Sequence, residues 1–136
     1  MLKQLLLPVV SLASHQLAAR GRGTNVWLSP RDGSSLAFSL ALRPTGVPEK
    51  RFTFIQYLFT LAVVEACRDE RVLGRAVGEL VRIKWPNDLY IVDREGKGGR
   101  KVGGVLVTLE SGVLIIGESL PCLRLAACAE RAQGVG

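Results

Sequence analysis

One stretch of this chain can make a long helix, and everything around it is cut into pieces too short for another. Phe54 to Arg68 holds no glycine or proline, is rich in alanine and leucine, and places Leu58, Leu61, Ala62 and Glu65 at helical spacing. It is apolar nearly all round, which predicts a buried helix rather than a surface one. The flanking segments alternate with period two and stop at turn residues. They predict strands over Val9–Ala13, Ser34–Leu42 (Leu36, Phe38, Leu40 and Leu42 on one side), Val81–Trp85, Leu89–Val92, Lys101–Leu109 and Val113–Ile116. Asp93 to Arg100, with Gly96, Gly98 and Gly99 among charges, reads as a solvated hairpin tip. Arg71 to Leu80 is polar, a short helix or a loop. Strands joined by short turns around a single helix define an α+β fold with a mostly antiparallel, mixed sheet and a buried helix.

A chain of 136 residues that is 48% hydrophobic suits one domain and is too apolar for disorder. No apolar run approaches the roughly 18–20 residues that cross a membrane. Met1 to Ala13, with Lys3 ahead of a short apolar stretch, also begins as a signal peptide does; the preferred reading is a buried strand interrupted near Pro8. Cys67, Cys122 and Cys128 form no CxxC pair, and His15 is the single histidine, so neither a disulfide framework nor a zinc site is expected. These features suit a reducing, cytoplasmic setting. The formal charge of +6 implies an anionic partner: nucleic acid, a membrane surface, a nucleotide or an acidic protein.

Three clusters carry chemistry. Arg20-Gly21-Arg22-Gly23 puts two guanidinium groups on a loop able to close over an oxyanion; taken alone, the plainer reading is a mobile basic turn, and an RNA-binding reading is open but has weak support. Lys84-Trp85-Pro86-Asn87-Asp88 places a lysine, an amide and a carboxylate at a strand end, where they can meet phosphate, magnesium or an amine. The plainer reading is an ordinary strand-to-turn junction. Lys101-Val102-Gly103-Gly104-Val105-Leu106 sets paired glycines in a strand, which marks close approach to the backbone or a bulge. Together they describe a pocket that can bring two anions together.

In order and spacing, Gln16 to Trp27 (QLAARGRGTNVW), Lys84 to Tyr90 (KWPNDLY) and Lys101 to Leu106 (KVGGVL) resemble the catalytic domain of the biotin protein ligases, or holocarboxylase synthetases. The similarity covers roughly residues 9–117. The eukaryotic form looks closer than the repressor type, because no DNA-binding domain precedes it. The resemblance implies a class II synthetase-like fold of the biotin/lipoate ligase type and a cytoplasmic enzyme that binds biotin and ATP with magnesium. Such an enzyme makes biotinyl-5′-AMP and transfers the biotin to a lysine of a carboxylase's biotin carrier domain, with no role for nucleic acid or membrane. Carried over by motif, Gln16, Arg20, Gly21, Arg22, Lys101, Gly104 and Val105 would bind biotin. Arg22, Trp27, Lys84, Asn87 and Asp88 would bind the nucleotide. Lys101, Arg20, Arg22 and Asp88 would act in catalysis, with magnesium arriving on ATP near Asp88.

Three departures from the family pattern bear on activity. Ala19 stands where the loop's first glycine is usual; its methyl is harmless there unless the loop needs positive φ, in which case it strains the loop. The family's Ser/Thr-Asn segment belongs upstream of residue 1. Glu118-Ser119-Leu120-Pro121 replaces a Gly-x-Asn strand that contacts adenosine. The domain is therefore read as partial over 1–117, with 118–136 a divergent tail open to disorder. Exposed apolar surface and a bare sheet edge follow from such truncation. The alternatives are an inactive fragment that binds biotin or carrier domain weakly and, with less support, a nucleic-acid-binding module.

Overall fold

The computed structural model describes residues 6–27, 29 and 35–120. In chain order the elements are β1 (Val9–Ala13), β2 (Leu36–Leu42), a 3-10 turn (Glu49–Arg51), α1 (Phe52–Cys67), α2 (Arg75–Gly78), β3 (Val81–Lys84), β4 (Asp88–Ile91), β5 (Arg100–Glu110) and β6 (Val113–Leu120). The strands form one six-stranded sheet in the order β1-β2-β6-β5-β4-β3. Every pairing is antiparallel, so the sheet expected to be mixed is uniform among the described residues. The α+β class stands.

Directly paired residues share a face of an antiparallel sheet, and the register therefore sorts the side chains. One face carries Leu40, Leu42, Leu114, Ile116, Val105 and Val107, which meet Phe52, Ile55 and Phe59 of α1. Further along, Val81, Leu89, Ile91, Val102 and Leu120 meet Val64 and Cys67 near the helix's C-terminal end. The two clusters together form the core under α1. The opposite face carries small and polar residues, among them Ser39, Gly117, Ser119 and Gly104, and it is here that the cavity described below opens.

α1 departs from the expectation of full burial. Thr60, Val64 and Cys67 are buried, whereas Phe54, Leu58 and Leu61 lie at least 40% exposed. A helix apolar all round was read as enclosed, but among the described residues only its sheet-facing side and its C-terminal end, against α2, are covered. β1 is likewise exposed rather than buried: it is the sheet's edge, and Val10 and Leu12 face solvent. Both sites match the uncovered apolar surface expected from the sequence.

β6 corrects the boundary set at Gly117. The strand continues through Glu118, Ser119 and Leu120, which pair with Phe38, Ala37 and Leu36 of β2. Gly117 and the charge at Glu118 mark a strand end in the sequence, but an antiparallel neighbour on each side supplies enough hydrogen bonds to carry the strand past them. Cys122, Cys128 and the rest of the tail lie outside the described residues.

Gly78 of α2 sits against the end of α1, where an added Cβ would stand 2.5 Å from the Cys67 carbonyl oxygen and 2.6 Å from Arg68 Cα. Both obstacles are backbone, so neither can step aside cheaply. Gly78→Ala is expected to cost about 2 kcal/mol, as overpacking does, which a chemical denaturation midpoint would register. An unchanged midpoint would show that α2 shifts freely.

Candidate active site

The basic glycine-rich loop folds back on itself. Arg20 bridges Val26, the Gly21 amide donates to the Asn25 carbonyl at 2.8 Å, and the Trp27 amide donates to the Ala19 carbonyl at 3.1 Å. Ala19 is buried at the stem, and Ser111 is the one non-glycine at positive φ among the described residues. The strain anticipated at Ala19 is therefore absent. Space at Gly21 is tight: a Cβ there would come within 3.2 Å of Asn25 Cβ, which would have to give by a few tenths of an ångström.

The turn after β3 is pinned to β5 by two hydrogen bonds. The Val105 amide donates to the Asn87 carbonyl at 2.9 Å, and Asn87 Nδ2 donates to the Val105 carbonyl at 3.0 Å. The Asn87 amide group expected to face a nucleotide thus spends its donor on the backbone, with a positioning consequence for the next residue, Asp88.

A bulge then decides where Lys101 points. Leu89 pairs with Gly103 but Tyr90 pairs with Lys101, leaving Val102 as an extra residue in β5. Unbroken alternation from Gly104 and Leu106 would aim Lys101 into the helix-side core and Val102 at the opposite face. The bulge reverses both: Val102 is 3% exposed among the core residues, and Lys101 emerges beside Asp88. Its Nζ lies 2.6 Å from Asp88 Oδ1 and 5.3 Å from the centre of the Trp27 ring.

These pieces enclose a cavity of about 640 Å³ on the sheet face away from α1. Gln16, Arg20, Gly21, Arg22, Trp27, Asn87, Asp88, Lys101, Gly104 and Val105 all line it, so residues from three distant clusters meet in one place. Lys84 does not line it. Its Nζ reaches the Tyr90 hydroxyl at 3.4 Å and sits over the Tyr90 ring, towards the β3 edge. The paired glycines also divide. Gly103 abuts its own neighbours, a Cβ there standing 3.0 Å from the Ser119 carbonyl oxygen, whereas Gly104 faces the cavity between Asp88 and Lys101.

Sequence reasoning missed Ser119, whose Oγ accepts a hydrogen bond from Trp27 Nε1 at 3.0 Å. It also missed Glu118. This carboxyl is 4% exposed, faces the core side with Val105 and Phe38, and has no hydrogen-bond partner among the described residues. Burial pushes its pKa up to about 8.

Chemically, the cavity offers one ammonium, two guanidinium groups without ion-pair partners among the described residues, and a carboxylate already held by the ammonium. That suits anionic ligands. No group of three or more metal-ligating side chains occurs among the described residues. Asp88, with one oxygen held by Lys101, offers a cation too few donors to cage it, so the residues present fit magnesium only as an ion that keeps most of its other ligands. No described helix is long and apolar enough to cross a membrane.

Residues 2–120 match the biotin/lipoate A/B protein ligase family. The chain is 40% identical over 101 residues to the human biotin–protein ligase, aligning 73% of itself with 12% of that protein. It is 38% identical over 99 residues to biotin–protein ligase 2 of Arabidopsis thaliana, aligning 73% of itself with 27% of that relative. Among solved structures, it resembles the Aquifex aeolicus biotin protein ligase in complex with biotin and ATP, at 27% identity and a TM-score of 0.64. That likeness covers 88% of this chain and 45% of the other. The Leishmania major enzyme in complex with biotinyl-5-AMP shares the fold, with a TM-score of 0.68, 23% identity and coverage of 91% of this chain and 55% of that one. The chain thus spans about a quarter or less of the curated relatives and about half of the solved ones.

Proposed function

Because the chain belongs to the biotin/lipoate A/B protein ligase family, and is an enzyme by that membership, we propose that its cavity activates biotin with ATP. In this reading an oxygen of biotin's carboxylate attacks the α-phosphorus of ATP and pyrophosphate leaves, giving biotinyl-5′-AMP. A lysine amine of a carboxylase's biotin carrier domain then attacks the acyl carbon, AMP departs, and the amine's proton goes to solvent or a nearby base. ATP enters as its magnesium complex, and the setting is cytoplasmic.

The observation that carries the reading is the meeting of Lys101, Asp88, Arg20, Arg22 and Trp27 around Gly104 in one cavity. A carboxylate approaching a phosphate meets like-charge repulsion, and a cation between the two relieves it most as they close. Lys101, central and aimed into the cavity by the bulge, is suited to that place. Arg20 and Arg22, carried on the loop, would close over the phosphate and biotin oxygens, with Gln16 and Gly21 nearby. Trp27 offers a ring face to the adenine. Gly104 and Val105 form the wall along biotin. Asp88 holds Lys101 at rest; once Lys101 turns to the anions, the carboxylate is free to orient the acceptor amine. Lys84 and Asn87 would contribute at the nucleotide end, Lys84 only from outside the cavity's rim.

The direct test is pyrophosphate release by the purified chain in the presence of biotin and ATP. Release that needs both substrates supports the reading; none from folded protein overturns it for this chain. A second reading, a fragment that binds without turnover, draws on the exposed apolar faces of α1 and β1 and on the unpartnered Glu118. It predicts biotin binding by calorimetry with no pyrophosphate.

Gly104 gives a separate check on which wall the ligand uses. A Cβ there would sit 3.4 Å from both Asp88 Oδ1 and the Asn87 carbonyl oxygen, an ordinary contact, so a larger side chain projects into the cavity rather than into the fold. Gly104→Val is expected to leave the melting temperature within a few degrees and to weaken biotin binding at least tenfold, roughly 1.4 kcal/mol. Unchanged affinity would move biotin off this wall.

A further inference from the structure

We propose that Ser119 is a positioning residue of this cavity: its Oγ fixes the Trp27 indole so that the ring face braces the Lys101 ammonium opposite Asp88. Trp27 Nε1 donates to Ser119 Oγ at 3.0 Å across 92 residues of sequence, and Ser119 is 8% exposed. The Trp27 backbone amide is tied separately to Ala19 at the loop stem. The residue is thus held at both ends, once by the loop that carries it and once by the sheet floor.

The floor is shaped for this. Ser119 pairs with Ala37 on one side and Gly104 on the other, so the three residues form a row of small side chains over which a large ring can reach the strand. The one hydroxyl in the row selects the ring orientation, because it is the acceptor that the half-buried indole N–H finds on the sheet floor. Lys101 Nζ then lies 5.3 Å from the ring centre and 2.6 Å from Asp88 Oδ1, held from two sides. A lysine on a flexible four-carbon stem loses conformational freedom when placed, and this brace reduces what is left to lose when substrates arrive. That last consequence rests on the ligase reading; the geometry stands without it.

The experiment uses the full chain with Ser119→Ala, Ser119→Thr and Trp27→Phe variants. Nuclear magnetic resonance reads the exchange rate of the Trp27 indole N–H and the ring-current shift of the Lys101 ε-methylene protons. Both are expected to change in Ser119→Ala and to return in Ser119→Thr, which keeps the hydroxyl. Trp27→Phe, which keeps an apolar ring without the donor, should lose the Lys101 shift as well. In pyrophosphate release, Ser119→Ala should lower kcat about fivefold, the fold-change of one neutral hydrogen bond, with the KM for biotin nearly unmoved and the threonine variant restored. A Ser119→Ala protein that melts lower but keeps the wild-type Lys101 shift overturns the proposal and leaves Ser119 merely structural. Absence of pyrophosphate release from the wild type would defeat the ligase reading alone, because the resonance shifts decide the positioning role by themselves.

Discussion

Lys101→Ala is expected to reduce biotin- and ATP-dependent pyrophosphate release by about 100- to 1000-fold, the usual effect of removing one preorganised charge from a polar transition state. The lysine side chain is 39% exposed, so truncation opens no core cavity and the fold should persist. Asp88 loses its partner, but at 24% exposure it retains access to water. In the proposed reaction the repulsion between the biotin carboxylate and the α-phosphate is greatest as the new bond forms, so a Lys101 acting there predicts a loss that falls on kcat. Arg20 and Arg22 approach from the loop and cannot replace a charge on the sheet floor. Comparing kcat and KM for the variant, with circular dichroism to establish folding, checks the claim. A rate like that of the wild type would remove Lys101 from the chemistry.

Glu118→Met is expected to stabilise the chain, and to do so more at pH 8 than at pH 5. The carboxyl is raised from about 4.5 to about 8 by burial, with no hydrogen bond among the described residues to offset it. Between those values the folded chain holds a proton that the unfolded chain has released. Stability therefore is greatest at and below the unfolded pKa and falls as pH rises towards the folded one. Over that interval the loss amounts to roughly 4 kcal/mol. Methionine has a similar length and no charge, takes the same place between Val105 and Phe38 in the register, and removes the titration. Urea denaturation at pH 5 and pH 8 should show a wild-type stability that drops and a variant whose stability drops less by that amount. Parallel pH dependences would mean that Glu118 is hydrated or paired in solution.

Much of the candidate site's composition was legible because its charged and small residues are concentrated in short motifs. The loop around Arg20 and Arg22, the turn at Asn87 and Asp88, and the segment from Lys101 to Val105 converge on one cavity. Lys84 escaped that logic. It shares a motif with Asp88, yet it lies opposite Asp88 across the β3–β4 pair and leans over Tyr90 instead. Glu118 was hidden by its own charge. The alternation of Leu114 and Ile116 places the next residue but one on the core face, but a carboxylate there reads as the end of a strand, not its continuation. The exposure of Phe54 and Leu58 was equally beyond the pattern, because periodicity tells which residues prefer burial and not what covers them.

The kinds of elements, the antiparallel character of most of the sheet and the side chains that bring charge can all be read along the chain. These follow from local periodicity, turn residues and residue chemistry, all short-range in the chain. Tertiary structure alone decided which way those side chains face. Lys101 enters the cavity because a bulge at Val102 breaks the alternation, and Ser119 meets Trp27 because β6 lies between β2 and β5 with small neighbours on either side. Both depend on register between strands distant in sequence, where a one-residue shift turns a side chain from one face to the other.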